Sequence, residues 1–218
     1  MTSKSMEELF AKALEYYKEK DFENSKITYQ KILEIDEKNV EALVNQGVIY
    51  KILGENKKAY ENYIKAININ PKHTLTYNNL GNLLKDTGNL KGALKVYSDA
   101  IKLDPKNYHA YNNLGMAYEK LGDNNKAIQA YKESVRVNPK FVKAINNIGV
   151  VLYKQKKYEQ AIEIFKIALK TDPEYFELYS NMGACYNKIK KYDEAIESLN
   201  IAIEKNPKNA GAYTNLGN

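Results

Sequence analysis

The chain has 218 residues, a net charge of +6 and one cysteine, and 28% of its residues are charged. No apolar run is long enough to cross a bilayer, so we expect no membrane span. Because Cys185 alone cannot form an internal disulfide, the chain fits a reducing compartment. We therefore expect a cytoplasmic protein, and a nuclear location is also compatible.

Glycine recurs at an interval of 34 residues along almost the whole chain. These glycines are Gly47, Gly81, Gly115, Gly149, Gly183 and Gly217. A period of this length is typical of stacked helix–turn–helix arrays. With the glycine as position 8 of each repeat, the pattern predicts an amino-terminal tail at 1–5, six repeats and a first-helix stub at 210–218. The six repeats are 6–39, 40–73, 74–107, 108–141, 142–175 and 176–209.

Each repeat predicts two helices joined by a tight turn. The first helix covers positions 2 to 14, and a glycine or lysine follows it: Lys20, Gly54, Gly88, Gly122, Lys156 and Lys190. The second helix ends near position 32, where proline removes a backbone donor and restricts the residue before it. Position 32 is Glu37 in the first repeat and then Pro71, Pro105, Pro139, Pro173 and Pro207.

Four positions predict how the two helices pack. Small residues at positions 8, 20 and 27 let the helices approach closely, and a large residue at position 24 fills the space between them. Position 24 holds Tyr29, Tyr63, Tyr97, Tyr131, Phe165 and Leu199. The first repeat departs from the pattern with Ala13, Ser25 and Ile32, which is typical of a terminal repeat.

Further residues in the same register indicate a family. Leucine precedes the glycine and tyrosine follows it by three residues in several repeats: Leu80-Gly81, Leu114-Gly115, Leu216-Gly217, Tyr50, Tyr118 and Tyr186. On these residues the chain from 6 to 218 resembles a tetratricopeptide repeat array. The resemblance implies an all-α solenoid of antiparallel helix pairs forming a right-handed superhelix. It also implies a concave groove that binds other proteins, and no catalytic centre.

Asparagine occupies position 6 in six successive repeats. The residues are Asn45, Asn79, Asn113, Asn147, Asn181 and Asn215. Asparagine costs a helix about 0.5 kcal/mol relative to alanine, so its recurrence calls for a reason. Positions 2, 5, 6, 9, 12 and 13 share the first-helix face that the resemblance places on the concave wall. There a side-chain amide can pair with the N–H and C=O of an extended peptide, and this asparagine ladder predicts main-chain binding of partner segments.

Other polar residues extend the same face. They are Asn78, Asn112 and Asn146 at position 5, Asn82 at position 9, and Lys51 and Lys85 at position 12. Together with Lys120, Lys154 and Lys188 at position 13, the lysines indicate a mildly basic groove that favours acidic or phosphorylated segments. The alternative interpretation is structural, with the position-6 amides bridging to the backbone of a neighbouring repeat.

Two narrower resemblances can be compared with these residues. The run Tyr-Asn-Asn-Leu-Gly at 77–81 and 111–115 is similar to the arrays that precede the catalytic domain of O-linked N-acetylglucosamine transferases, where an asparagine ladder grips substrate main chains. This leaves open a second function, the recruitment arm of a larger enzyme, although no catalytic segment is present here. The two-carboxylate clamp for chaperone tails is incomplete, because position 5 never holds lysine and Asn147 stands where that clamp needs a basic residue.

The remaining candidates favour no other chemistry. His73 and His109 have no metal-ligand partner at the usual spacing, so we expect no metal and no cofactor. Serine, histidine and acidic residues do not converge on a hydrolytic triad. Many of the 19 tyrosines occupy core positions, so we expect no nucleic-acid binding. Cys185 at position 10 is expected to be a small buried residue.

The stub at 210–218 has no second helix. We expect either that the chain is cut from a longer protein or that this stub covers the last apolar face. Exposed helix-packing residues at such an end favour end-to-end self-association. A third function follows, an assembly element that acts through its convex face or its ends.

Overall fold

The computed structural model describes residues 3–217, and the side chains of residues 5–217. This part of the chain forms thirteen α-helices and no strand. The first helices of the repeats are α1 (Ser3–Lys18), α3 (Val40–Ile52), α5 (Thr74–Asp86), α7 (Tyr108–Lys120), α9 (Val142–Lys154), α11 (Phe176–Lys188) and α13 (Ala210–Leu216). The second helices are α2 (Phe22–Ile35), α4 (Asn56–Ile69), α6 (Leu90–Leu103), α8 (Asn124–Val137), α10 (Tyr158–Thr171) and α12 (Tyr192–Lys205).

The helices form antiparallel pairs because the turns between them are short. Within a repeat the connection is three residues, as at 19–21, and the two helices that it joins pack against each other. The predicted all-α array of stacked helix pairs is confirmed. One detail is corrected: α1 begins at Ser3, so residues 3–5 of the predicted tail are helical.

Asparagine and aspartate side chains begin many of the helices. Asn39, Asn107 and Asn209 each accept a hydrogen bond from the backbone three residues later, and Asp21 and Asp123 do the same for second helices. Such caps satisfy N–H groups that have no partner within the helix. Part of the asparagine content therefore serves helix initiation.

The turn inside each repeat requires a left-handed residue. Gly54, Gly88 and Gly122 have φ values of 79°, 85° and 80°. Lys20, Lys156 and Lys190 adopt the same conformation, with φ values of 62°, 62° and 61°. An L-residue with a Cβ is disfavoured there by roughly 1 kcal/mol.

Replacing Lys156 with glycine is expected to raise the free energy of unfolding by about 0.5–1 kcal/mol, because glycine tolerates the left-handed turn. Urea denaturation followed by circular dichroism measures the change. The matched control is Lys132→Gly in the middle of α8, where the exposed lysine is helical. That change should lower stability by about 1 kcal/mol. Loss of stability in both variants would contradict the argument.

A glycine and a large side chain interlock in repeats 2 to 6. A Cβ added to Gly115 would lie 2.5 Å from Cε1 of Tyr131, and one added to Gly149 would lie 2.3 Å from Cε1 of Phe165. The large side chain is fully buried in both repeats. The predicted packing of position 8 against position 24 is confirmed.

The described residues fall into two compact bodies, divided after Pro105. The apolar cluster of the carboxyl-terminal body includes Tyr131, Phe165 and Cys185, and burial raises the pKa of the Cys185 thiol to about 12. This fits the prediction of a small buried residue. Within residues 3–217, no helix combines the length and the apolar character that a membrane span needs.

Candidate functional site

The first helices of neighbouring repeats lie side by side within each body. Helix α3 contacts α5 in the amino-terminal body, and α11 contacts both α9 and α13 in the carboxyl-terminal body. Side chains at positions 5, 6, 9, 12 and 13 of these helices form what we call the first-helix face. The predicted binding residues all lie on it.

Two asparagines of the ladder are hydrogen-bonded to a neighbouring repeat. Nδ2 of Asn147 donates to Oδ1 of Asn112 at 2.9 Å, and Nδ2 of Asn181 donates to Oδ1 of Asn146 at 2.9 Å. In both pairs position 6 of one repeat meets position 5 of the repeat before it. These bonds are bridges between repeats, and their acceptor is a side-chain amide, whereas the structural interpretation expected the backbone.

The other position-6 residues have different surroundings. Burial raises the pKa of the Tyr29 hydroxyl, and the Asn45 amide near it acts in the opposite direction. Asn79 forms no side-chain hydrogen bond with a described residue, and the preceding position 5 is the apolar Val44. The backbone carbonyl of Asn215 accepts from Asn187 Nδ2 at 2.6 Å.

All six ladder residues, including Asn113, are half-buried, so part of each remains at the surface.

The added amides at positions 5 and 9 are less available than the sequence suggested. Asn78 and Asn112 are buried, at 8% and 3% exposure, and Asn112 already serves as acceptor for Asn147. Asn82 is half-buried and its Oδ1 accepts from the Tyr97 hydroxyl at 2.7 Å. The expectation that Asn78 and Asn112 line the groove is therefore corrected, because packing between helices covers these two side chains. Asn146 is half-buried.

Several lysines of the expected basic groove are ion-paired. Lys51 Nζ lies 2.6 Å from Asp86 Oδ2, and Lys154 pairs with Glu119. Lys85 is buried at 8% exposure, with Nζ 3.9 Å from Asp86 Oδ1. The Lys51 and Lys154 pairs join positions 12 and 13 of adjacent repeats. Carboxylates thus offset much of the positive charge that the lysines alone predicted.

Tyrosine hydroxyls at position 24 also reach this face. The Tyr131 hydroxyl donates to Glu119 Oε2 at 2.9 Å, and burial raises the pKa of Tyr131, which keeps it protonated. The sequence assigned these tyrosines to the core, and their rings are indeed buried. We did not predict from the sequence that their hydroxyl groups reach this face, although Glu119 at position 12 of the same repeat is a possible hydrogen-bond acceptor.

We also did not predict an amide network around a buried glutamine. Gln46 is 2% exposed at position 7, where most repeats have an apolar residue. Its Nε2 donates to Gln30 Oε1 at 3.2 Å, and its Oε1 accepts from Asn62 Nδ2 at 2.8 Å. The two bonds link the buried Gln46 to the exposed Gln30 and the half-buried Asn62 in the amino-terminal body. The polar Gln46 at a repeat position that is otherwise mostly apolar could have indicated this network.

Two cavities open on the first-helix face at equivalent repeat positions. The carboxyl-terminal cavity measures about 310 Å³ and the amino-terminal one about 220 Å³. The first is lined by Val150, Tyr153, Lys154, Phe165, Asn181, Ala184 and Asn215. The second is lined by Leu14, Tyr17, Tyr29, Asn45, Val48 and Ile49. Ladder asparagines therefore form part of both walls.

The histidines show no arrangement for catalysis or metal binding. His109 stacks near Tyr108 and Phe141, with ring centroids 4.1 Å and 5.1 Å away, and burial beside Lys143 lowers its pKa. His73 Nδ1 lies 2.7 Å from Thr76 Oγ1 at the start of α5. Among the described residues, no three His, Cys, Asp or Glu side chains form a group that could hold a metal ion.

Comparisons with known proteins agree with this geometry. Tetratricopeptide repeat models match residues 9–39, 47–88, 81–122, 108–141 and 152–216. The chain belongs to the tetratricopeptide repeat family. Proteins of this family generally mediate protein–protein interactions. No curated protein sequence gives a significant match.

Solved structures share the fold. PilW, a type IV pilus biogenesis factor, is 21% identical, with a TM-score of 0.82 over 98% of this chain and 99% of PilW. MamA is 27% identical, with a TM-score of 0.64 over 74% of this chain and 94% of MamA. YrrB, described as having an unusual peptide-binding site, is 21% identical, with a TM-score of 0.61 over 85% of this chain and 96% of YrrB.

Proposed function

We propose that this tetratricopeptide protein is a non-catalytic interaction module that binds extended segments of partner proteins along its first-helix face. The observation that carries the proposal is the bridging of Asn147 and Asn181, which holds two half-buried amides in fixed orientations at the surface. The likeness to YrrB supports a peptide ligand only at the level of the shared fold.

A bridged amide keeps part of its hydrogen-bonding capacity. Asn147 and Asn181 each use one N–H in the bridge, so the second N–H and the carbonyl oxygen remain. These two groups suit the C=O and N–H of an extended main chain. Because the bridge already fixes the side-chain rotamer, binding costs less conformational entropy. Structural bridging and peptide contact are therefore compatible roles of the same residue.

Replacing both Asn147 and Asn181 with alanine is expected to weaken peptide binding at least about 30-fold, because each residue loses at least one hydrogen bond worth about 1 kcal/mol. Binders selected from a displayed library of random 12-residue peptides provide the ligands, and fluorescence anisotropy measures Kd. Asn200→Ala, an exposed asparagine on α12, is the control for general asparagine loss.

Asn112→Ala separates binding from bridging. It removes the acceptor of the bridge but leaves the Asn147 amide in place. Binding through Asn147 predicts a much smaller loss of affinity for Asn112→Ala than for Asn147→Ala. Equal losses of stability in both variants, with affinity unchanged, would leave the bridge as the only role and contradict the proposal.

Two other functions are each supported by one specific observation. The Tyr-Asn-Asn-Leu-Gly runs at 77–81 and 111–115 favour a recruitment arm of a larger enzyme, such as a protein glycosyltransferase, and the full reading frame tests this. Exposed Ile196 and Tyr213 near the carboxyl end favour end-to-end self-association. Sedimentation that shows only monomer at high protein concentration would exclude that association.

A further inference from the structure

The carboxyl-terminal cavity has apolar walls and an amide at two edges. Val150 and Tyr153 of α9 face Ala184 of α11, and Phe165 is fully buried beneath them. Asn181 and Asn215 lie on the remaining sides. At about 310 Å³, the cavity stands at the lower end of ligand pockets. That volume suits one or two large side chains.

The charge at this cavity is balanced. Lys154 is the one charged residue of the lining, and it is ion-paired with Glu119. A carboxylate or phosphate entering the cavity would have to compete with Glu119 for that ammonium group. It would also lose hydration against apolar walls, which is costly for a charged group without a partner. The cavity therefore favours an uncharged occupant.

The same construction occurs four repeats earlier in the sequence. Leu14, Tyr17 and Val48 of the amino-terminal cavity occupy the repeat positions of Val150, Tyr153 and Ala184. Alanine in place of valine helps explain why the carboxyl-terminal cavity is larger, at about 310 Å³ against about 220 Å³.

The tyrosine wall is held by a second ring in both bodies. Tyr153 packs edge-on against Tyr158, with ring centroids 5.4 Å apart, and Tyr17 packs in the same way against Phe22 at 5.8 Å. In the other full repeats position 12 is Lys51, Lys85, Glu119 or Asn187. A tyrosine wall is therefore specific to repeats 1 and 5.

From this geometry we infer that the carboxyl-terminal cavity receives one large aliphatic or aromatic side chain of the bound segment, while Asn181 and Asn215 contact the adjoining main chain. The inference rests on the proposed peptide binding and specifies its ligand. It replaces the expectation of an acidic or phosphorylated segment. The occupant is thus an extended, locally uncharged stretch of another protein with a bulky apolar residue at its centre.

The test compares peptide selections by the wild-type protein and two variants. Ala184→Leu fills the cavity with a larger side chain. Tyr153→Ala removes the tyrosine wall and adds no side-chain bulk. Wild-type selections from the 12-residue library should be enriched in Leu, Ile, Phe or Tyr at one position. Both variants should lose that enrichment and bind the selected peptides at least about tenfold more weakly, as expected when an anchor residue is lost. Asn200→Ala should select like the wild type.

Folding and charge are checked in parallel. Circular dichroism and thermal melting verify that each variant keeps the helical fold, and agreement between the two variants excludes overpacking as the cause. The Kd of a selected peptide should change less than about twofold between 50 and 500 mM NaCl, because screening affects charged contacts most.

Three outcomes decide between the possibilities. Selection of acidic peptides, or of phosphopeptides added to the library, would overturn the inference and leave the proposed function intact. Apolar enrichment that survives in both Ala184→Leu and Tyr153→Ala would place the anchor elsewhere and also overturn it. A library that yields no binders above an unrelated helical control protein would contradict the proposed function itself.

Discussion

Replacing Phe165 with alanine is expected to lower the free energy of unfolding by about 3–5 kcal/mol. The ring is fully buried, belongs to the apolar cluster of the carboxyl-terminal body, and fills the space that Gly149 leaves between α9 and α10. Removing it costs the transfer energy of the ring and opens a cavity. Urea denaturation followed by circular dichroism measures the change.

The control lies two residues further along the same helix. Ile167 is 52% exposed, so Ile167→Ala should cost less than about 1 kcal/mol. The stability of a repeat array is carried by its repeats and their interfaces. The Phe165 variant should therefore unfold its own region first. A loss no larger than that of Ile167→Ala would contradict the assignment of Phe165 as a central packing residue.

Replacing Gly149 with alanine should lower stability by about 2 kcal/mol, although alanine is the better helix former by about 1 kcal/mol. The new methyl group would overlap the Phe165 ring at 2.3 Å, and overpacking against a rigid buried ring costs up to about 3 kcal/mol. Urea denaturation again provides the measurement. Gly217→Ala is the matched control, because a Cβ there meets nothing closer than 3.7 Å although Gly217 occupies the same repeat position.

A double-mutant cycle tests the contact directly. In the Phe165→Ala background the ring is gone, so adding Gly149→Ala should raise stability by about 1 kcal/mol, the gain in helix propensity. The coupling between the two changes should reach about 3 kcal/mol, at the upper end of the range for residues in contact. Additive losses would show that the glycine is required for some other reason.

The first-helix face shows why function is harder to read than fold. Asn147 and Asn181 share a repeat position with Asn45, yet the first two bridge to another amide and the third lies near a tyrosine hydroxyl. Sequence period predicts which face a side chain lies on. It does not predict the partner, because that depends on the residue one position away in the neighbouring repeat.

The same limit applies to charge. From the lysines alone, Lys51 and Lys154 predict a basic groove. In the structure each is paired with a carboxylate 35 residues away in the sequence. The interval is the repeat length plus one, since adjacent first helices meet with that offset. Once the structure supplies this offset, comparing position 5 with position 6, and position 12 with position 13, identifies these pairs in the sequence.

The sequence by itself determined the repeat, the helix pairs, the left-handed turns at Gly54 and Lys156 and the glycine–aromatic packing, because local sterics and hydrophobic period fix these features. Only the tertiary structure decided that Asn112 is covered, that Lys154 is neutralised and that apolar cavities open beside the asparagine ladder. Those features depend on distances between side chains of different repeats, and no local rule of one helix contains them.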